Sequence, residues 1–395
     1  MTLPNKRFCE INNLEEVKDL RKGMDFRKPE YRREWFIRFY GFHLINNSHP
    51  GCVYYALPWL TKYYSLNMED KLWMAFINGC SQNIVTTSLI FERFPTLKSA
   101  NYEDLTKWWN TVHGKFKSGS GWDSDRKYFK IGKTGFPECV ASYAKAVEKF
   151  GSQENLFNSL VQNCKYKTFD KSWEFVRENF LSFGRLSTFS YLEYLRIQDV
   201  PLDCSSLFLD DISGSKSHRN GLCKVLGRDD LDWWDVEGSE TKSFEGYDPA
   251  TIDWLVEEGA QLLEDTKEMY SHKDISYFTL ESTLCCSKSF YRPNRRYPNV
   301  YNDMFFKRIK YAEGEWGNKF DHFWKMRKES IPKYLRLEDN EEDPTHLAKA
   351  LDKEKQNHFR ETGQLIMMDD DWKCFKNSFN DKYYHTPHTL SEFFD

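Results

Sequence analysis

The segment "DDISGSKSHRNGLCKVLGRDD", Asp210 to Asp230, gathers Ser213, Ser215, Lys216, Ser217, His218, Arg219 and Asn220 between two acidic pairs. Ser217 fits the N-cap of a short helix, "HRNGLCKVL", with Gly227 just past its end. The free N–H groups of such a helix start, joined by Lys216, His218 and Arg219, suit a phosphate or pyrophosphate. The spacing is not that of a Walker A loop. The same residues also fit an ordinary polar cap, with Arg219 paired to Asp210, Asp211 or Asp229. Residue types alone leave both readings open.

Three further stretches offer cations. In "TLESTLCCSKSFYRPNRRYPNVYNDMFFKRI", Lys288, Arg292, Arg295 and Arg296 alternate with Phe290, Tyr291, Tyr297 and Tyr301. Cations interleaved with rings are what a nucleic-acid backbone and an unstacked base require, and equally what a solvated basic loop can carry. "SGWDSDRKYFKIGKTGFPE" repeats the theme around Arg126, Lys127, Tyr128 and Lys130. In "SFGRLSTFSYLEYLR", Gly184 separates two helical stretches beside Arg185, in the manner of a helix-hairpin-helix that offers N–H groups to DNA phosphates. A proton acceptor is sought among Glu281, Glu193 and Asp203, with His218 as a further candidate. Gln82 and Asn83, amides at an interruption in a buried helix, are candidates for a base pocket.

Metal chemistry finds little footing. "HTPH" with Cys374 provides three ligands at most, so no metal site is expected. No G-x-S-x-G, dinucleotide fingerprint or H-x-x-x-H is present, and no cofactor is expected.

Helices must position these groups. Trp73, Phe76, Ile77, Cys80, Ile84 and Phe91 fall at helical steps along one buried stripe, with Gly79 and Ser81–Gln82–Asn83 suggesting a small kink. "PECVASYAKAVEKFG" begins near Pro137 and stops before Gly151. "YDPATIDWLVEEGAQLLEDTKEMY" has Asp248 to cap it and Pro249 in its first turn. Strand-like alternation is scarce, so the expected class is all-α.

Composition narrows the partners. The 395 residues carry a formal charge of -4, which excludes a globally basic nucleic-acid binder but not a local basic face. Charge is segregated. Residues 226–268 hold 14 acidic and 3 basic side chains, whereas 281–336 hold 13 basic and 6 acidic. Ten cysteines without a C-x-x-C pair fit reduced thiols of a cytosolic protein. With neither a signal peptide nor an apolar run long enough to cross a bilayer, the expectation is a cytoplasmic protein and no membrane partner.

Three ordered stretches, "KLWMAFINGCSQNIVTTSLIFERFP", "GSKSHRNGLCKVLG" and "LCCSKSFYRPNRRYPNVYNDM", resemble the amino acid:DNA transferases of bacteriophages. These are also called α-glutamyl/putrescinyl thymine pyrophosphorylases. The resemblance spans about residues 30–335. It implies kinship with helix-hairpin-helix DNA glycosylases, hence a two-lobed all-α body over 30–336. Residues 1–29 would form an extension, and 337–395 an acidic linker and small C-terminal appendage.

The implied reaction displaces pyrophosphate from pyrophosphorylated 5-hydroxymethyluracil in DNA with the amine of an amino acid or polyamine. Ser215, Lys216, Ser217, His218, Arg219 and Asn220 would then cradle the leaving pyrophosphate. Arg126, Arg185, Lys288, Arg292, Arg295, Arg296 and Tyr297 would hold the DNA strand and its flipped base. A glycosylase's catalytic Asp has two candidate counterparts, Asp199 and Asp203. The rival expectations are a glycosylase-like base hydrolase and a DNA-binding phage protein without chemistry.

Overall fold

The computed structural model describes residues 28–45, 49, 53–116, 132–133, 135–160, 165–211, 216–232, 248–291, 299–331, 357 and 361. Every regular element among them is helical. In chain order the α-helices are α1 (Arg32–Ile45), α2 (Val53–Tyr63), α3 (Met68–Ser81), α4 (Ile84–Arg93), α5 (Tyr102–Val112), α6 (Phe136–Glu148) and α7 (Gln153–Leu160). There follow α8 (Lys165–Asn179), α9 (Arg185–Ile197), α10 (Lys216–Val225), α11 (Pro249–Met269), α12 (Tyr277–Ser287), α13 (Asn299–Trp316) and α14 (Asp321–Ser330). The class is all-α. No helix among the described residues is long and apolar enough to cross a membrane.

The chain divides into two compact units. The first comprises residues 1–52, 206–303 and 331–395, and the second 53–205 and 304–330. In the first unit, Trp35, Phe36, Phe39 and Tyr40 recur at helical spacing on α1 and are buried with Leu222 and Val225 of α10. Ile252, Leu255, Leu262 and Leu263 of α11 and Leu280 and Leu284 of α12 complete that core. α11 starts as its sequence implies, with the Asp248 carboxylate accepting the Thr251 N–H at 2.8 Å and Pro249 in the first turn. On its outer face Arg33 of α1 joins Glu258 and Asp265 at 2.9 and 2.8 Å, so part of the acidic run is matched.

The second unit is built on rings. Phe76 of α3 stacks on Tyr143 of α6 at 4.0 Å, and Phe180, Phe183 and Tyr191 close around them. The stripe read as one kinked helix is two helices. Gln82 takes a left-handed conformation (φ 47°) that ends α3, and the Asn83 side chain caps α4 by accepting the Val85 and Thr86 N–H groups. An i-to-i+4 apolar stripe survives such a break because both helices pack on the same core. Gly184 does divide two helices, serving as N-cap of α9.

Candidate active site

α10 and α12 approach more closely than side chains ordinarily permit. A Cβ placed on Gly221 of α10 would lie 2.1 Å from the Leu284 carbonyl oxygen of α12. Only glycine lets these two backbones touch. The contact sets residues one turn earlier on α10 against residues near the middle and end of α12, and two groups of polar side chains meet there.

The first group is His218 with Glu281. His218 is buried, with Nδ1 3.1 Å from Glu281 Oε1 and Nε2 2.9 Å from the Leu207 carbonyl. Both ring nitrogens therefore face acceptors. A neutral imidazole has one N–H and one lone pair, so the His218–Glu281 contact needs a shared proton. The carbonyl fixes Nε2 as a donor and turns Nδ1 to the carboxylate. Glu281 keeps partial exposure, its side chain at 20%.

The second group is Ser217, Cys285 and Lys288. Ser217 Oγ lies 2.9 Å from Cys285 Sγ, and the Lys288 ammonium donates to the same Ser217 oxygen. With its oxygen taken by the ammonium, the hydroxyl is free to donate to sulfur. A hydrogen bond from Cys286, the Lys288 charge and the Ser217 hydroxyl hold the Cys285 thiol down at about 6, against burial and the Glu281 carboxylate. Cys285 keeps partial solvent access, whereas Lys288 is fully buried.

Behind these groups α10 carries Arg219 and Asn220, neither exposed at all. The Oδ1 and Nδ2 atoms of Asn220 have no hydrogen-bond partner among the described residues. A wholly buried amide without partners is costly, and a polar ligand would relieve that cost. Asn220 stands one helical turn from Ser217 on the same face of α10.

The site rests on a hydrogen-bonded base. Thr279 and Thr283 of α12 meet His49, whose Nε2 lies 3.1 Å from the Thr279 carbonyl and 3.2 Å from the Thr283 hydroxyl. Tyr40 of α1 donates to the Ser276 carbonyl at the start of α12, at 3.1 Å. Arg32 donates to Asp229 at 2.8 Å and lies 4.8 Å from the centre of the Tyr291 ring, tying α1 to the residues that follow α10 and α12.

Several sequence expectations change. α10 begins at Lys216, so Ser217 lies inside its first turn and serves the sulfur and the ammonium instead of capping the helix. Arg219 is interior, and Asp229, one of its candidate partners, pairs with Arg32 and Lys224 at 2.8 and 2.7 Å. Lys288 was expected on a DNA-facing surface. It is buried because its ammonium reaches back to the start of α10.

Of the proton-acceptor candidates, Glu281 meets His218 in the first unit. Glu193 belongs to the second unit, buried and accepting from the Tyr54 hydroxyl at 2.7 Å. Asp203, also in the second unit, lies 3.6 Å from Arg196. Asp199 pairs with Lys71 at 2.8 Å. Asn83 caps α4, and Gln82 is the residue at the break before it. Arg185 opens α9, half-buried. Ser215, Arg126, Arg292, Arg295, Arg296 and Tyr297 lie outside the described residues.

The residue missed in the sequence is Cys285. Its signal was present in "CCSK", a thiol with a lysine three residues on. Such a lysine normally points to solvent, and the serine that links the two lies 68 residues away.

The sequence profile of the amino acid:DNA transferases matches residues 53–296. The chain belongs to this family. The matched span includes α10, α12 and Lys288, so both polar groups of the site fall within it. As a family member this amino acid:DNA transferase acts on DNA and an amino acid. A serinyltransferase of Salmonella phage ViI is 26% identical over 356 residues, covering 86% of this chain and 83% of its own length. No solved structure matches.

Proposed function

We propose that this transferase displaces pyrophosphate from pyrophosphorylated 5-hydroxymethyluracil in DNA with the amine of an amino acid, and that the chemistry takes place where α10 meets α12. One observation carries the reading. A carboxylate held by a buried histidine and a thiol–hydroxyl–ammonium relay converge at a single helix contact inside the family-matched span.

The roles follow from the geometry. An ammonium nucleophile must lose a proton before attack, and the partly exposed Glu281 carboxylate is the acceptor. His218 is a positioning residue, because Nε2 is committed to Leu207 and Nδ1 orients the carboxylate. Lys216, at the start of α10, and the first N–H groups of that helix face the charge that grows on the departing pyrophosphate oxygen. The Asn220 amide supplies a donor and an acceptor for the uracil ring or the amino acid. The ViI relative is named for serine transfer, which makes serine the first amine to supply.

The test is to incubate duplex DNA carrying the pyrophosphorylated base with serine and then with other amino acids. Pyrophosphate release together with a heavier nucleoside of the expected amine mass supports the reading. Release of a free base with an abasic site would show a glycosylase-like hydrolase instead. Binding without any change in the DNA would remove the assignment of chemistry altogether.

A further inference from the structure

We infer that Cys285 is the nucleophile of the reaction, adding through sulfur to C6 of the pyrimidine so that the ring itself expels the pyrophosphate. The inference rests on the function proposed above and deepens it. Its geometric basis is the chain Lys288–Ser217–Cys285. A buried ammonium donates to a hydroxyl that lies 2.9 Å from sulfur, on a cysteine that keeps partial access to solvent. Burying an ammonium is costly unless an anion or strong acceptors compensate it, and a thiolate one hydroxyl away supplies that anion. The low thiol value, about 6, agrees. The unpartnered Asn220 amide, one turn from Ser217, marks the same place as one that takes a polar ligand.

The chemistry explains why a thiolate belongs beside Glu281. While the ring is intact, only the N1 lone pair, already delocalised into the C2 carbonyl, assists departure of a pyrophosphate from the 5-methylene carbon, and addition at C6 replaces that weak push with a full enolate. The Cys285 thiolate forms a C–S bond to C6, and the C5–C6 π electrons move to the C4 oxygen as an enolate. The enolate re-forms the C4 carbonyl and pushes out pyrophosphate, breaking the methylene C–O bond and leaving an exocyclic methylene at C5. The amine adds to that methylene and forms the C–N bond, and its proton passes to Glu281. The regenerated enolate then restores the C5–C6 double bond and expels the thiolate. Sulfur leaves by reversing its own addition, so the enzyme is returned unchanged and no oxidant or reductant is used. Sulfur bound to the methylene carbon instead would be a poor leaving group toward the amine.

The experiment uses full-length protein and duplex DNA carrying the pyrophosphorylated base, with serine present or withheld. Withholding the amine should accumulate a protein–DNA adduct that survives denaturation and maps by peptide mass to Cys285. Cys285→Ala and Cys285→Ser should each give no adduct and lose transfer by roughly a hundredfold or more, as removal of a nucleophile does. Both variants should still bind the DNA. Alkylating Cys285 of the wild type with iodoacetamide should block transfer, a result independent of whether either variant folds. Wild-type transfer with Cys285→Ser turning over within threefold of it would overturn the nucleophile and leave the proposed function standing. A wild type that releases no pyrophosphate with any amine would overturn that function and this inference together.

Discussion

Replacing Gly221 by alanine adds one methyl group at the point where the site is held together. The added Cβ would lie 2.1 Å from the Leu284 carbonyl oxygen and 2.7 Å from its carbonyl carbon, both backbone atoms with no rotamer to escape into. Relief to an ordinary contact of 3.4 Å requires α10 and α12 to separate by about 1.3 Å, an overpacking strain of roughly 1–3 kcal/mol and sometimes more. Alanine recovers up to about 1 kcal/mol of that through its better helix propensity. The expected net loss is therefore about 1–2 kcal/mol, a fall in Tm of roughly 2–8 °C at the usual scaling for a unit of this size.

Activity should fall further than stability. A separation of about 1.3 Å carries the Ser217–Cys285 contact from 2.9 Å and the His218–Glu281 contact from 3.1 Å beyond hydrogen-bond reach, even allowing for the longer reach of sulfur. The assay pairs thermal unfolding with single-turnover transfer, read at a temperature where the variant is fully folded. Turnover reduced roughly a hundredfold in a folded variant is expected from misplacement on this scale. A Gly221→Ala protein with unchanged Tm and wild-type turnover would refute the close backbone approach and the site built on it.

Other expectations concern single groups. Glu281→Gln should keep DNA binding and lower transfer by about a hundredfold or more, the contribution of a general base, with part of the rate returning at high pH as free amine accumulates; an unchanged rate would remove Glu281 from the chemistry. Alkylation of Cys285 by iodoacetamide should rise with pH to a midpoint near 6, and Lys288→Met should move that midpoint upward. The sign for stability follows the same shift. A thiol whose folded value lies below its unfolded one contributes fully above the unfolded value and loses that contribution as pH falls through about 6. A midpoint at the ordinary thiol value of about 8.5 would dismiss the relay. Arg32→Ala removes a buried guanidinium bonded to Asp229 and placed over Tyr291, and should lower stability by about 1–3 kcal/mol in chemical denaturation.

The sequence carried the helices more clearly than it carried the site. Asp248–Pro249, Pro137 and Gly184 mark helix starts because capping is a local matter, written within a few residues. The break at Gln82 reads in the sequence as a kink and not as a helix end, because the apolar stripe runs through it unaltered and the left-handed residue there is not a glycine. Glu281 and His218 were both named as candidates, yet nothing within either segment says that they touch. Lys288 looked like one more cation in a basic run. Its burial depends on Ser217, which is distant in sequence and itself looked like a cap.

The first unit is discontinuous along the chain, and this bears on how the protein is made. α1 leaves the ribosome early, bearing Trp35, Phe36, Phe39 and Tyr40, all fully buried in the finished molecule. Their partners on α10, α11 and α12 are translated only after residues 53–205 have been added. At bacterial elongation rates of about 5–20 residues per second, this leaves α1 without its core for roughly 10–50 s. The second unit, whose residues up to 205 emerge together, has time to condense in that interval. The nascent chain thus holds four large aromatic side chains in waiting, an opening for trigger-type chaperones or for aggregation when synthesis runs fast. A transferase gene shortened before residue 216 would lack α10, α11 and α12 and leave that aromatic face permanently bare.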